Sequence, residues 1–108
     1  MKARNFKRKG EYREMKKVYE VVELYEFDGV EVEIETTIFD TMEKAKAKFE
    51  QIIKKEEETS WIKNMLNGDE LNDPLSNSEL EHEETYYHAY DGYKFDATTI
   101  YIGEKEIL

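Results

Sequence analysis

The sequence predicts an α+β fold, in which an antiparallel sheet of about four strands is packed on one face by an amphipathic helix. Two strand-like stretches each contain an Asp-Gly pair, the dipeptide typical of tight hairpin turns. An apolar stripe of helical period runs between these stretches. No strand–helix–strand repeat occurs, which argues against a parallel sheet. The expected order is β-β-α-(short α)-β-β.

The first hairpin is predicted from two strands joined by Asp28-Gly29. Residues 17–27 are rich in β-branched and aromatic side chains, and residues 30–38 alternate strictly. The two faces of the second strand are Val30, Val32, Ile34, Thr36 and Ile38 against Glu31, Glu33, Glu35 and Thr37. We expect the apolar face to be buried and the glutamate face to meet solvent.

A helix is predicted near residues 41–57. Asp40 fits the N-cap, and Glu43 follows three residues later as in a capping box. The apolar positions recur at three- and four-residue spacing: Met42, Ala45, Phe49, Ile52 and Ile53. The glutamates 56–58 are unfavourable at a helix C-terminus, which indicates a helix end there or a kink.

A second, short helix would begin at Thr59 or Ser60 and end at Gly68. Residues 67–80 have turn composition, and we expect them to be irregular. A second hairpin follows, with strands at 84–90 and 93–102 around Asp91-Gly92. A last short strand is possible at 104–108, after Gly103.

Charge divides the chain into two parts. Residues 1–17 carry eight basic and two acidic side chains, whereas the other 91 carry eight basic and 24 acidic ones. We therefore expect a flexible basic arm at 1–15 and a single acidic domain at 16–108. Either Met1 or Met15 fits as the start.

Several classes of protein are disfavoured. Without cysteine, disulfides and thiolate metal sites cannot form. The chain has neither a membrane-length apolar stretch nor a secretory signal, so we expect a cytoplasmic protein. No dinucleotide, phosphate-loop, serine-hydrolase or zinc-protease motif occurs. We expect no enzyme, no catalytic residues and no cofactor.

The two histidines, His82 and His88, match no zinc signature, and we expect them to be solvated or interfacial rather than metal-bound. An enzyme or small-ligand site around Tyr86, His88 and Tyr90 stays open as a further alternative. The basic arm can attract nucleic acid, but the acidic body would repel phosphate.

Candidate partner-binding residues come from the two hairpins. Alternation places Tyr86 and Tyr90 on one strand face and Tyr87 on the other, so one tyrosine face is expected to be exposed. The candidate set is Glu31, Glu33, Glu35, Glu81, Glu83, Glu84, Tyr86 and Tyr90.

The run IFDTMEKAKAKFEQIIKKE after a hairpin resembles small accessory proteins of phages and mobile elements in low-GC bacteria. In these proteins a strand leads into F-x-T-x-E-K-A and an amphipathic helix, and a final hairpin closes the sheet. The resemblance covers residues 17–57 and, more loosely, the last hairpin. It implies a protein that acts by binding, including inhibitors of host defence enzymes, and it brings no catalytic residues.

Together these features favour a non-enzymatic acidic binding protein. Its partner would be a basic protein surface, such as a nucleic-acid-binding enzyme that it inhibits as a nucleic-acid mimic. The alternative is a small homo-oligomeric structural or regulatory module whose charge serves only solubility.

Overall fold

The computed structural model describes residues 16–107, so the predicted basic arm lies outside the described residues. Five strands form one antiparallel sheet: β1 (Lys16–Phe27), β2 (Val30–Phe39), β3 (Glu79–His82), β4 (Tyr86–Asp91) and β5 (Asp96–Ile107). Two helices, α1 (Met42–Thr59) and α2 (Trp61–Asn67), and a short 3₁₀ turn at Glu70–Asn72 separate β2 from β3. The strands lie in the order β2-β1-β5-β4-β3. Neither described helix has the length and apolar character needed to cross a bilayer.

The α+β class is confirmed, but the prediction of about four strands in the order β-β-α-(short α)-β-β is wrong. The observed order is β-β-α-α-β-β-β. The missed strand is β3, which falls partly in the segment expected to be irregular. Its sequence, ELEH, has no strand composition, and it is a strand because its backbone pairs with β4 from Glu79↔Tyr90 to His82↔Tyr87.

The last strand is also longer than expected. β5 runs without a break through Gly103, which pairs with Glu20, so residues 104–107 belong to this strand and not to a separate one. The β4 ladder ends at Tyr86↔Tyr101, so at Gly103 it is the pairing with β1 that continues the strand.

The first hairpin is confirmed, with β1 and β2 paired from Tyr19↔Phe39 to Phe27↔Val30. Asp28 (φ 55°) and Gly29 (φ 79°) both adopt the left-handed conformation that two-residue hairpin turns require. The register shifts between Tyr25 and Glu26, so a bulge lies near this turn.

Helix α1 begins one residue later than predicted. The N-cap is Thr41, whose Oγ1 accepts a hydrogen bond from the Lys44 backbone N–H at 3.2 Å. Asp40 instead forms an ion pair with the Lys44 ammonium at 3.1 Å. At the other end, Ser60 terminates α1 and caps α2, because its Oγ accepts from the Ile62 N–H at 3.1 Å.

The core lies between α1, α2 and one face of the sheet. Four of the five residues of the predicted stripe, Ala45, Phe49, Ile52 and Ile53, are buried, whereas Met42 in the first turn is partly exposed. Their partners include Val21 from β1, Ile100 from β5, Tyr87 and Ala89 from β4, and Ile62 and Met65 from α2. These contacts join the helices to the three central strands.

The predicted burial of β2 is wrong. Its apolar residues are exposed, with 56% of Ile34 and 61% of Ile38 accessible to solvent. The register explains this result. Phe39 and Thr37 oppose Tyr19 and Val21, which face the helices, so Ile34 and Ile38 lie on the open face of the sheet.

The segment between α2 and β3 is held by a close contact with the β4–β5 turn. Ser76 is buried, and its hydroxyl donates to the Glu70 carbonyl at 2.6 Å. A Cβ at Gly92 would lie 1.7 Å from the Ser76 carbonyl oxygen, so only glycine fits there.

We expect Ile100→Ala to lower the free energy of unfolding by about 3 kcal/mol, because the side chain is fully buried. Ile38→Ala removes the same atoms from an exposed site and should change it by less than about 0.5 kcal/mol. Urea unfolding of both variants measures this difference. Equal losses would contradict the assignment of Ile38 to the open face.

Candidate functional site

The predicted partner-binding residues do not form one surface. Glu33 and Glu35 lie at the β2 edge on the helix side of the sheet, opposite Tyr25 and Glu23. Beyond the bulge, Glu31 pairs with Glu26. The others lie at the far edge of the sheet, on β3 and β4 or in the turn between them: Glu81, Glu83, Glu84, Tyr86 and Tyr90. The structure therefore divides the predicted site into two regions.

The first region is a cleft between the C-terminal half of α1 and the adjacent ends of β1 and β2. Its volume is about 650 Å³. We call it the acidic cleft. Its lining residues are Glu23, Tyr25, Phe27, Glu33, Glu35, Lys48, Gln51, Ile52, Lys55 and Glu56. Four carboxylates and two ammonium groups thus surround a partly apolar floor.

Glu23 and Tyr25 form the inner wall of the acidic cleft. Glu23 is only 8% exposed, and the Tyr25 hydroxyl donates to its Oε1 at 2.5 Å. Burial raises the pKa of Tyr25, and the hydrogen bond to Glu23 raises it further, so the phenol stays protonated as a donor. The wall is therefore a fixed, oriented pair of polar groups.

The outer wall crowds like charges together. A hydrogen bond with the Glu35 carboxyl raises the pKa of Glu33, and partial desolvation adds to this effect. Across the cleft on α1, burial raises the pKa of Glu56. Repulsion from the nearby Glu23 carboxylate also raises the pKa of both Glu33 and Glu56, so a cation entering the cleft would be favoured.

Sequence reasoning missed Glu23, Tyr25 and Glu56 as members of the site. The glutamates at the end of α1 indicated uncompensated negative charge at this helix terminus, and α1 has no basic residue in its last turn. The position of Glu23 had a signal too, because it shares a strand face with Val21. Neither signal showed that β2 would lie beside them.

The second region is the tyrosine-bearing part of the open face. Tyr86, His88 and Tyr90 alternate with the buried Tyr87 and Ala89, as the sequence predicted. The rings of Tyr86 and His88 are stacked, with an interplanar angle of 15° and centroids 6.4 Å apart. The His88 Nδ1 lies 2.9 Å from the Thr99 hydroxyl, which fixes the ring.

The two histidines lie on opposite faces of the sheet. His82 pairs with Tyr87 on the helix side, whereas His88 pairs with Glu81 on the open face. His82 contacts Glu50 at 3.2 Å and the edges of Phe49 and Tyr87. The pair cannot converge on one metal ion, and among residues 16–107 no three acidic or histidine side chains group as metal ligands.

The pKa values of Glu33 and Glu56 are raised in the folded chain, so these carboxylates bind protons more tightly there than in the unfolded chain. The free energy of unfolding should therefore increase as the pH falls from about 7 to about 5. Below about pH 4 the trend reverses as the carboxylates of Asp40 and Asp73, whose pKa values are lowered by Lys44 and Tyr93, become protonated.

Urea unfolding at several pH values measures this profile. Glu56→Gln should reduce the increase, whereas Glu58→Gln, at an exposed position on the same helix, should leave it unchanged. A free energy of unfolding that only decreases between about pH 7 and 5 would contradict the electrostatic description of the cleft.

Comparison with protein-family models, with curated proteins and with solved structures finds no match to this chain.

Proposed function

We propose that this chain is a non-enzymatic acidic protein that binds a basic protein surface through the acidic cleft and the neighbouring β2 edge. The observation that carries the proposal is the convergence of Glu23, Glu33, Glu35 and Glu56 on one cleft. Residues 16–107 carry 24 acidic and ten basic side chains, a net charge of −14. Such a field steers cationic partners and speeds their association.

The local ion pairs leave the outer wall of the cleft available. Within residues 16–107, the lysines that pair with carboxylates do so elsewhere: Lys17 with Glu104, Lys44 with Asp40, Lys46 with Glu84 and Lys105 with Glu20. Lys48 and Lys55 line the cleft but form no ion pair with Glu33 or Glu35 in this part of the chain. A partner's lysine or arginine would supply the missing counter-charge.

The row of carboxylates favours a partner that normally binds nucleic acid. Glu33 and Glu35 are two residues apart on one strand face, a repeat of about 6.8 Å. A groove that binds phosphates through lysine and arginine would also attract these carboxylates. The chain would then inhibit the protein that carries the groove, as a nucleic-acid mimic.

The exposed apolar residues favour a second candidate, a homo-oligomeric module. On the open face of the sheet, Ile34 and Ile38 of β2 are 56% and 61% exposed, and Tyr101 of β5 is 39% exposed. A second copy covering this face would bury them. In that case the charge would serve only solubility.

We test the first proposal by immobilising the full chain and capturing proteins from a bacterial extract. Capture should fall steeply between about 50 and 300 mM salt, and duplex DNA should release the captured proteins by competition. Glu33→Gln/Glu35→Gln should lower capture roughly fivefold. The matched pair Glu79→Gln/Glu81→Gln, on the opposite sheet edge, should not lower it.

Two results would count against the proposal. Capture that is unchanged at high salt would contradict the electrostatic basis of binding. Captured proteins that duplex DNA fails to release would contradict the hypothesis that the chain mimics nucleic acid. Sedimentation analysis of the isolated chain examines the second candidate, which requires a concentration-dependent dimer at both salt levels.

A further inference from the structure

The outer edge of β2 is an open hydrogen-bonding edge. β2 is the first strand in the sheet order and has ten residues, and within the described residues only β1 pairs with it. The opposite edge strand, β3, has only four residues. From Glu33 to Phe39 the pairing with β1 is regular, since the bulge lies nearer the turn. Seven residues of β2 therefore present a regular free edge.

The protection of this edge is selective. Proteins protect edge strands with charged side chains, especially lysine, or with proline, short length or strong distortion. β2 has the sequence VEVEIETTIF, without lysine or proline, and its one distortion is at the turn end. Its only charges are glutamates, which repel an acidic strand but attract a cationic one, so within the described residues its outer main-chain groups are available to a cationic strand.

The side chains of β2 specify what kind of strand would fit. On the open face Ile34 and Ile38 are 56% and 61% exposed, and on the helix side Glu33 and Glu35 border the acidic cleft. A strand paired with β2 places its own side chains directly beside these residues, about 5 Å away. A strand with apolar residues on one face and cations on the other would therefore complement both the isoleucines and the glutamates of β2.

We propose that β2 accepts an additional β-strand from a basic partner protein, an extended segment in which apolar residues alternate with lysine or arginine. This strand-addition proposal rests on the proposed function and specifies how the basic partner is recognised. Main-chain hydrogen bonds would supply affinity, and the alternation would supply specificity. The partner's cations would lie against Glu33 and Glu35, and its apolar side chains against Ile34 and Ile38.

A second copy of this chain is a poorer occupant. An antiparallel β2–β2 pair with Ile34 opposite Ile34 sets Glu35 opposite Glu33, which places like charges together. A shifted register avoids direct opposition but still joins two chains of net charge −10. Charge complementarity therefore favours a cationic strand.

The experiment uses the full chain labelled with ¹⁵N and two peptides of the same composition, VKVKVKVK and VVKKVVKK, both with blocked ends. At about 50 mM salt the alternating peptide should shift the amide resonances of residues 33–39 and bind at least about tenfold more tightly than the permuted one. The mapping on the unmodified chain does not depend on whether any variant folds.

Variants provide the second readout. Ile34→Lys/Ile38→Lys should weaken binding of the alternating peptide about tenfold and reduce the difference between the peptides to within about twofold. The control Leu75→Lys/Ile107→Lys makes the same change of charge at exposed sites away from β2 and should preserve the difference.

The outcomes separate the two proposals. Equal binding of both peptides, with resonance shifts scattered over the acidic surface, would overturn strand addition. It would leave the proposed function, binding of a basic surface, in place. Binding of neither peptide at low salt would overturn both. A dimer of the unmodified chain that Ile34→Lys/Ile38→Lys dissociates would assign the edge to a second copy and overturn the partner strand.

Discussion

The structure depends on a mismatch of widths between one helix and five strands. Five strands spaced about 4.8 Å apart span about 19 Å, whereas a helix with its side chains is about 10–12 Å across. The apolar stripe of α1, centred on Phe49 and Ile53, packs on Val21, Ile100 and Tyr87 from the three central strands. Burial of this stripe is the main stabilising contribution, and on β2 only Phe39, at the strand's C-terminal end, packs against the core.

The uncovered strip beside α1 becomes the acidic cleft. Because the core does not cover the part of β2 that carries Glu33 and Glu35, their helix-facing carboxylates meet solvent. The end of α1 adds to the negative charge, since its last turn contains no base and its macrodipole is negative at this terminus. Glu23, further inside, is accommodated because Tyr25 donates a hydrogen bond to it.

Local sequence signals could predict the parts of the fold that depend on local chemistry. The left-handed turn at Asp28-Gly29 and the three- and four-residue spacing within α1 were both sufficient. β3 could not be predicted in this way, because Glu79–His82 becomes a strand only by pairing with β4. Alternation in β2 likewise separated two faces but could not show that the strand would lie at the sheet edge.

The candidate site was predictable to the same extent. The sequence identified Glu33 and Glu35, since their two-residue spacing sets them on one strand face. It could not supply Glu23, Tyr25 or Glu56, because their proximity depends on the register between β1 and β2 and on how far α1 extends. Sites assembled from three separate elements require the tertiary fold.

The composition of β2 argues against a purely solubilising role for its charge. Glutamates would by themselves keep an exposed edge strand from self-association. For that purpose, polar residues between the glutamates would be better than apolar ones. Instead Val30, Val32, Ile34 and Ile38 alternate with them, and all four are more than half exposed. A segment with this β-propensity at a free edge is an aggregation hazard unless something covers it. Solubility would account for one face of β2, whereas the proposed partner, with apolar residues on one face and cations on the other, would account for both.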